Sequence, residues 1–398
     1  MDDRLRLEIV EPNENTVGDA NMIIREALAS PMDAPSLAEF VTGSNDTWII
    51  VNDGTRPTPT ATVLAEIYPQ IKDSRVRFMV ATGTHREPTE AELGKIFGEL
   101  LGEFKERIFV HDSRNKEMLI SLGDTSRGTP VSFNKHIMNA ERIIAINSVE
   151  PHYFAGYTGG RKSFLPGVAG YESIERNHSH ALKPGVAPTA LSGNAVSEDM
   201  AEAAAMIDPK KIFSIQIVLD QKKRVYGAAC GHIETSFLAA ANMANEVFGV
   251  QVDGKADIVL TLVRPPKDIN LYQAQHALEN GKLALKKDGV VIWVCACHEG
   301  IGPSKFFDLM SSCSSPQEVK QTVAANYKLG YHKGSLIADT TEWAHCLAVT
   351  GLPDQDIDKI FFKQYPTIQA AVDKAVEIKG PEARMLVLMD GTLTVPLL

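Results

Sequence analysis

Residues 76–100 read VRFMVATGTHREPTEAELGKIFGEL, and this stretch contains the pattern that decides the fold. Its first part, VRFMVATGTH (76–85), is short and rich in apolar residues, and it ends in glycine, threonine and histidine. Its second part, EPTEAELGKIFGEL (87–100), has the apolar spacing of a helix. A buried strand, a polar turn and a helix in succession are typical of α/β proteins.

The same alternation recurs along the 398 residues, which are too many for one typical domain. Other strand-like runs are TWIIVND (47–53), RIFVHDS (107–113), RIIAINSV (142–149), SIQIVLD (214–220), ADIVLTLV (256–263), GVVIWVCAC (289–297) and RMLVLMDG (384–391). Helix-like segments between them include TSFLAAANMANEVFGV (235–250) and LYQAQHALENGKLALKK (271–287). We therefore predict an α/β protein of two domains, with mainly parallel sheets flanked by helices.

Two prolines in VRPPKDINLYQ (263–273) break the pattern and suggest the domain boundary. We predict an N-terminal α/β domain over residues 1–265, carrying the catalytic and cofactor-attachment residues. A C-terminal α/β domain over 266–398 is expected to close a cleft that holds the active site, and its last segment can return to the N-terminal domain.

Composition and charge exclude several classes of protein. The formal net charge is −10 and no basic tract is present, which argues against a nucleic-acid partner. Five cysteines without a CxxC pair favour reduced thiols in a cytoplasmic protein. The start, MDDRLRLEIVE, lacks the apolar core of a signal peptide, and the apolar runs are too short for a membrane span.

Reactive side chains follow four successive predicted strands, where parallel sheets bind their ligands. These are Asp53 and Arg56, Thr84 and His85, His111 and Asp112, and Glu150 and His152. Taken singly, each pair has an ordinary explanation: DGTR fits an Asx turn with a surface arginine, and GTHR fits a helix-capping turn. Arg56 can equally anchor a carboxylate or phosphate, and His85 suits acid–base chemistry. The four strand ends together predict a site.

The loop PHYFAGYTGGRKSFLPGVAG (151–170) contains a near match to a phosphate-binding P-loop. Lys162 and Ser163 stand where that motif requires them, but Arg161 replaces its last glycine. Gly156, Gly159 and Gly160 would let backbone amides approach a ligand closely. A connecting loop seldom combines glycine, aromatic and basic residues this densely, so we expect it to bind a ligand.

Two further motifs carry candidate ligands. In ERNHSHAL (175–182), His178 and His180 could form a metal pair on a strand, but on a helix they would face apart, so one histidine ligand is the safer prediction. In NLYQAQH (270–276), Tyr272, Gln273 and His276 begin a helix, and the first and last share a face. A solvated helix is the alternative for both motifs.

Together, DGTRPTP, ATGTHREPT, TSRGTPV, EPHYFAGYTGGRKSFLPGVAG, NHSH and NLYQAQH resemble the nickel-pincer nucleotide-dependent lactate racemase family over nearly the whole chain. The resemblance implies a 2-hydroxy-acid racemase or epimerase that removes a hydride from C2, through a 2-keto acid. The implied cofactor is a pyridinium-3-thioamide-5-thiocarboxylic acid mononucleotide carrying nickel, which would be absent without its maturation enzymes. By position, Lys162 matches the covalent attachment lysine and His178 the nickel ligand. His85 and His152 match the acid–base pair, and the other residues matched to the site are Gly159, Gly160, Asp53, Arg56, Tyr272 and Gln273.

One position departs from the family. Members that act on lactate carry a lysine four residues after the tyrosine, where this chain has His276. A longer, polyhydroxylated or dicarboxylic 2-hydroxy acid is therefore as good a candidate substrate as lactate. Two other classes stay open: a metal-dependent hydrolase that uses His178, His180 and Asp53 or Asp112, and a nucleotide-binding homologue without turnover.

Overall fold

The computed structural model describes residues 5–398, which divide into two compact units. The larger unit is Glu14–Val247. The smaller unit combines Phe248–Leu398 with the described residues up to Asn13. Each unit contains a six-stranded, mainly parallel sheet with helices between its strands, which confirms the predicted fold class.

The elements are numbered in chain order. The strands are β1 (Arg6–Val10), β2 (Thr47–Asn52), β3 (Val76–Ala81), β4 (Ile108–Val110), β5 (Leu119–Asp124), β6 (Pro130–Asn134), β7 (Arg142–Ser148), β8 (Pro151–His152), β9 (Gly156–Tyr157), β10 (Ile212–Leu219), β11 (Val225–Gly231), β12 (Gly249–Gln251), β13 (Ala256–Leu262), β14 (Leu285–Cys295), β15 (His345–Thr350), β16 (Lys363–Gln364), β17 (Arg384–Leu388) and β18 (Val395–Leu397). The helices are α1 (Ala20–Ala29), α2 (Leu37–Val41), α3 (Thr60–Ile71), α4 (Glu90–Phe97), α5 (Leu101–Phe104), α6 (Lys135–Asn139), α7 (Tyr171–Ser179), α8 (Ala195–Ala205), α9 (Ile233–Phe248), α10 (Leu271–Leu283), α11 (Lys305–Ser312), α12 (Pro316–Ala325), α13 (Tyr331–Trp343), α14 (Asp354–Lys359) and α15 (Ile368–Lys379).

The division between the units falls before the predicted boundary at residue 265. Strand β13 pairs on both sides within the smaller unit, with β14 and β17, so it belongs there. The prolines that suggested a boundary follow the end of β13 and mark the end of a strand. The N-terminal segment, and not the C-terminal one, joins the unit formed mainly by the other half of the sequence. Its strand β1 pairs in parallel with β17 of the smaller unit.

The larger sheet has the strand order β11-β10-β7-β2-β3-β4. All its pairings are parallel except that of β10 with the edge strand β11. Chain order runs from β2 through β3 to β4 in one direction, whereas β7 lies on the other side of β2. The strand order therefore reverses between β2 and β7, which is where open α/β sheets bind ligands.

Burial of apolar side chains on both faces of this sheet explains its continuous Val and Ile runs. Val51, Val80 and Ile146 lie in one core cluster with residues of α1 and α3. At the start of α4, Thr89 and Glu92 form the reciprocal capping box that the sequence EPTEAE suggests. The strand, turn and helix of residues 76–100 thus form as predicted.

The smaller sheet has the strand order β1-β17-β13-β14-β15-β16 and is parallel throughout. All five cysteines are free, and Cys295 and Cys297 are buried at the end of β14, as the run GVVIWVCAC indicates. Among residues 5–398, no helix is both long and apolar enough to cross a bilayer.

Candidate active site

The carboxyl ends of β7, β2, β3 and β4 lie side by side, so the four predicted strand ends meet at one edge of the larger sheet. Across the reversal point, Arg56 Nη1 after β2 lies 3.8 Å from Glu150 Oε1 after β7. Thr58 Oγ1 ties the same two strands together, through Asn52 Oδ1 at 2.7 Å and Ser148 Oγ at 2.8 Å. The edge is thus cross-linked by polar side chains.

His85 and Asp53 form a hydrogen-bonded pair at this edge. His85 Nδ1 donates to Asp53 Oδ2 at 2.7 Å, while Asp53 Oδ1 accepts from the backbone N–H and the hydroxyl of Thr55. Asp53 is buried and the His85 ring is half-exposed. Because Nδ1 donates its hydrogen to the carboxylate, Nε2 of the neutral His85 ring carries the lone pair and can act as a base.

The electrostatics of the pair favour an ionised Asp53. Burial alone would raise the pKa of Asp53, but the hydrogen bonds from His85 and Thr55 outweigh it and lower that pKa below its usual value. The motif DGTR led us to place Asp53 on the substrate side. In the structure its carboxylate is hydrogen-bonded to His85 and also lines a cavity beside this edge, so its contact with a substrate stays a prediction.

His152 is buried after β7 and shows the opposite hydrogen-bonding pattern. Its Nδ1 accepts from the backbone N–H groups of Ala155 at 3.3 Å and Phe154 at 3.5 Å. An accepting Nδ1 places the proton of the neutral ring on Nε2. The ring stacks on Tyr153 at a centroid distance of 5.0 Å and meets Phe154 edge-on at 4.5 Å. One histidine therefore offers a lone pair at Nε2 and the other an N–H.

Strand β2 lies between β3 and β7, the strands that precede His85 and His152 in the chain. Neighbouring strands are about 4.8 Å apart, so β3 and β7 are separated by about 10 Å. Arg56 follows β2, the strand in the middle.

Lys162 lies in a short 3₁₀ turn, Gly160–Ser163, and is half-buried. Burial, together with the positive charge of Arg56, holds the pKa of Lys162 well below its usual range. Its ammonium nitrogen lies 5.7 Å from the centre of the Phe154 ring and has no hydrogen-bond partner in the part of the chain that the structure describes. A neutral amine in this position is a nucleophile.

His178, in the last turn of α7, also lies beside Phe154. Its ring lies 5.0 Å from that of Phe154, so Phe154 contacts both His178 and Lys162. Burial, with the charge of Lys162 as a second contribution, lowers the pKa of His178 to about 3. The imidazole is therefore neutral at physiological pH, which is the form that binds a metal.

These two residues fit the cofactor implied by the resemblance. A neutral amine can form an amide-type bond to a thiocarboxyl group, and a neutral imidazole is a suitable nickel ligand. Among residues 5–398, no three His, Cys, Asp or Glu side chains converge as a metal site. A single histidine could bind nickel only if a bound cofactor supplied the remaining donor atoms.

The glycines of the loop serve its packing. A Cβ on Gly159 would lie 2.5 Å from Val149 Cγ2, and one on Gly160 would lie 2.7 Å from the ring of Phe237. Both residues have positive φ, at 83° and 51°. The N–H of Gly160 donates to Gln216 Oε1 at 3.1 Å, so that amide is engaged inside the protein. The two glycines let the loop approach β10 and α9, and their contact with a cofactor stays a prediction.

Arg161 explains the departure from the P-loop motif. Its side chain is buried, donates to Ser197 Oγ at 2.8 Å and lies over the ring of Phe237, with 4.7 Å between Cζ and the ring centre. Glu234 is 3.5 Å from Nη1. Arg161 thus fastens the loop to α8 and α9, and the next residue, Lys162, lies beside Phe154.

His180 and His111 lie outside the site. His180 is buried, with Nε2 3.1 Å from Thr129 Oγ1 and 3.8 Å from Asp199 Oδ2. His111 Nε2 donates to the carbonyl of Ala169 at 2.9 Å, which makes it a structural residue. A hydrolase site would need His180 beside His178 and Asp53, and the structure does not bring these three together.

A cavity of about 290 Å³ opens beside this edge and includes residues of the turn after β2. Its lining residues are Asn52, Asp53, Gly54, Arg56, Pro57, Thr58, Thr60, Lys95 and Ile96. A wider depression of about 620 Å³ is lined by residues that precede β2 and β3, such as Asn45 and Arg75, and contains no candidate site residue.

In the smaller unit, the three remaining candidates lie in the first turns of α10. Gln273 N–H donates to the capping side chain of Asn270 at 3.0 Å, and Tyr272 N–H donates to the carbonyl of Ile301 at 3.1 Å. Tyr272, Gln273 and His276 are each partly exposed. Sequence reasoning missed two neighbours of the candidates: Phe154, which contacts Lys162 and His178, and Lys333, whose ammonium lies 4.0 Å from the Tyr272 ring centre.

Comparisons with known proteins identify a family over most of the chain. Residues 1–188 match the family model of the lactate racemase N-terminal domain, and residues 252–395 match that of the lactate racemase C-terminal domain. A lactate racemase from Thermoanaerobacterium thermosaccharolyticum is 34% identical over 308 residues, which cover 76% of this chain and 71% of that protein. A lactate racemase from Lactiplantibacillus plantarum is 29% identical over 379 residues, covering 92% and 89%.

Two solved structures resemble the whole chain. The lactate racemase apoprotein from Thermoanaerobacterium thermosaccharolyticum superposes with a TM-score of 0.90 at 28% identity, covering 100% of this chain and 96% of that one. A Thermotoga maritima protein superposes with a TM-score of 0.69 at 16% identity, covering 96% and 100%, and shares the fold.

Proposed function

The chain belongs to the lactate racemase family, and from this premise we propose that it inverts the configuration at C2 of a 2-hydroxy acid. The observation that carries the proposal is the complementary state of two histidines at one sheet edge. His85 offers a lone pair at Nε2 and His152 an N–H, on either side of the strand that leads to Arg56.

We further propose that Lys162 forms the covalent link to a nickel-pincer nucleotide and that His178 binds its nickel. The low pKa values of both residues support these roles. When bound, this cofactor would supply the acceptor and donor of a hydride. Phe154, in contact with both residues, would exclude water from their surroundings.

The protein's own residues would move the hydroxyl proton. A 2-hydroxy acid becomes a 2-keto acid by losing a proton from its hydroxyl oxygen together with a hydride from C2. Each enantiomer presents its hydroxyl from a different side, so each needs its own base, while the other histidine supplies the proton for the return. In the neutral rings, His85 Nε2 can accept the hydroxyl proton, and the N–H at His152 Nε2 can hydrogen-bond the carbonyl oxygen of the 2-keto acid. His152 would act as the base for the other enantiomer in the tautomer whose proton has moved to Nδ1.

Two further residues would orient the reactants. Arg56 is proposed to bind the substrate carboxylate, since its present partner Glu150 is 3.8 Å away and both side chains are partly exposed. Asp53 would keep His85 in the tautomer that accepts at Nε2. Tyr272, Gln273 and His276 are proposed to contact the substrate on the basis of the resemblance, with lactate as one candidate acid and a longer hydroxy acid as another.

Intact mass spectrometry combined with a racemisation assay tests the proposal. The protein is co-expressed with cofactor-maturation enzymes of the family, purified, and incubated with enantiopure 2-hydroxy acids while optical rotation is followed. We expect an adduct on wild-type protein that disappears in Lys162→Ala, together with loss of racemisation. The control is Lys95→Ala, which changes an exposed lysine at the nearby cavity. This variant should keep both the adduct and the racemisation activity.

Two results would contradict the proposal. An unmodified wild-type mass with full activity would remove the covalent role of Lys162. A modified protein that changes the configuration of no 2-hydroxy acid would remove the racemase assignment itself.

A further inference from the structure

Lys333 is a buried lysine in the first turn of α13, with an exposed fraction of 2%. Lysine is among the residues least often buried, because removing its charge from water is costly. A fully buried lysine therefore needs hydrogen-bond acceptors or other groups that compensate its charge.

The environment of Lys333 is the first turn of α10. Its Nζ donates to the backbone carbonyl of Tyr272 at 3.0 Å and to Gln275 Oε1 at 3.3 Å. It also lies 4.0 Å from the centre of the Tyr272 ring, within the range of a cation–π interaction. Gln275 Nε2 donates back to the carbonyl of Lys333 at 3.1 Å, so the two helices are joined in both directions.

Charged groups near Lys333 also act on its ammonium. Glu279, one turn beyond Gln275 on α10, is itself bound by Lys282 at 2.8 Å. Burial lowers the pKa of Lys333 to about 7, with Glu279 raising it and Lys267 lowering it further. Near neutral pH the ammonium and the free amine are thus both accessible, and the charged form is the one that a π face attracts.

We propose that Lys333 is a positioning residue for substrate binding, which holds the Tyr272 ring and the first turn of α10 in one orientation. The inference rests on the proposed function, in which Tyr272 and Gln273 contact the substrate. It extends that function to a residue on another helix, 61 positions from Tyr272 in the chain.

The test separates binding from turnover in cofactor-loaded protein. In Lys333→Met the stem is kept and the charge is lost. We expect KM for the accepted 2-hydroxy acid to rise about tenfold, with kcat falling less than KM rises, because a cation–π contact is worth roughly 1–2 kcal/mol. Lys333→Arg keeps the charge and should recover part of the loss. The control is Lys328→Met, which removes an exposed lysine 5.9 Å from the Tyr331 ring centre and should leave KM unchanged.

A second measurement needs neither cofactor nor turnover. With lysines labelled at the ε-carbon, the Lys333 resonance, assigned through Lys333→Arg, should be shifted by the aromatic ring and should move in Tyr272→Leu. This arm decides whether the contact exists even where Lys333→Met fails to fold.

The failures can be told apart. If wild-type protein racemises its substrate and folded Lys333→Met has an unchanged KM, the inference is overturned and the proposed function stands. An unshifted Lys333 resonance also overturns it. If the loaded wild type racemises no 2-hydroxy acid, the proposed function fails, and with it the meaning given to the contact.

Discussion

His85 Nδ1 donates a hydrogen bond to Asp53 Oδ2 at 2.7 Å, across the carboxyl ends of the neighbouring strands β3 and β2. The other carboxylate oxygen of Asp53 is already engaged by the N–H and hydroxyl of Thr55. The carboxylate therefore has one oxygen for the turn and one for the histidine, and both are needed as acceptors.

We predict that Asp53→Asn inactivates the enzyme without unfolding it. In the variant, the amide oxygen would remain with Thr55 and the NH₂ group would face His85 Nδ1. That donor would move the ring proton to Nε2 and remove the base. We expect kcat to fall by about 10²- to 10⁴-fold, measured as racemisation by cofactor-loaded protein.

Thr55→Val is the control for Asp53→Asn, because it removes one hydrogen bond to Asp53 and leaves the carboxylate facing His85. Its kcat should fall only a few-fold. The lowered pKa of Asp53 also predicts a dependence of stability on pH. The hydrogen bonds of Asp53 should contribute to the free energy of unfolding above about pH 4, and this contribution should be lost as the pH falls further. Full activity in Asp53→Asn would show that the carboxylate does not set the tautomer.

The strand ends were predictable because the relevant pattern is local. A run such as TWIIVND identifies a buried strand and its last polar residue, and parallel strands bring their carboxyl ends to one edge. The reversal of strand order between β2 and β7 was not predictable, because it depends on pairings between distant segments. The contact between Asp53 and His85 requires that β2 and β3 be neighbours, and only the structure establishes this.

The glycines and Lys333 show the other limit of sequence reasoning. A glycine-rich loop looks the same in sequence whether its missing side chains admit a ligand or the protein's own atoms, and at Gly160 the neighbour is Phe237. Lys333 lies in YHKGSL, which contains no feature of a site. Its contact with Tyr272 arises only from the packing of α13 against the start of α10.

For the loop, we predict that Gly160→Ala destabilises the protein by about 1–3 kcal/mol. The added Cβ would meet the Phe237 ring at 2.7 Å, and the residue has a φ of 51°. The free energy of unfolding from denaturant titration measures the effect. Gly94→Ala is the matched control, because nothing lies within 4 Å of a Cβ there and alanine favours the helix α4. Equal stability of the two variants would contradict the packing role of Gly160.

For Lys162, we predict unusual reactivity in the apoprotein. Because its pKa is well below that of an ordinary lysine, its amine is unprotonated at a lower pH, where exposed lysines are still charged. Competitive labelling with an acylating reagent, read by peptide mass spectrometry, should therefore show a lower pH midpoint for Lys162 than for Lys95.

The cause of the Lys162 shift can be checked in the same assay. Arg56→Gln removes a positive charge that lowers the pKa of Lys162, so the labelling midpoint should move up. A midpoint equal to that of Lys95 in the wild type would rule out a neutral Lys162 near physiological pH.

For His178, we predict that its replacement abolishes nickel binding but not the covalent attachment of the cofactor. His178→Ala should retain the adduct on Lys162 in the intact mass but lose most of its nickel by elemental analysis. In the folded apoprotein the pKa of His178 is about 3, below that of a histidine in the unfolded chain. As the pH falls, the unfolded chain therefore takes up a proton at this position before the folded protein does. Stability should therefore decrease between about pH 6.5 and pH 3, and His178→Gln should reduce that decrease. Loss of the adduct together with nickel would instead make His178 part of the attachment step.

The choice of substrate provides the last prediction, at His276. An ammonium is a permanent positive charge at neutral pH and an imidazole is not, so His276→Lys places a fixed charge on α10, one turn after Tyr272. We expect kcat/KM for lactate, relative to that for longer 2-hydroxy acids, to rise about tenfold, as an added carboxylate contact of about 1.4 kcal/mol would give. His276→Gln, which removes the imidazole without adding charge, should leave the ratio low. A ratio that does not change in His276→Lys would mean that this position does not contact the acid, and that specificity is decided elsewhere, with Arg56 the first residue to test.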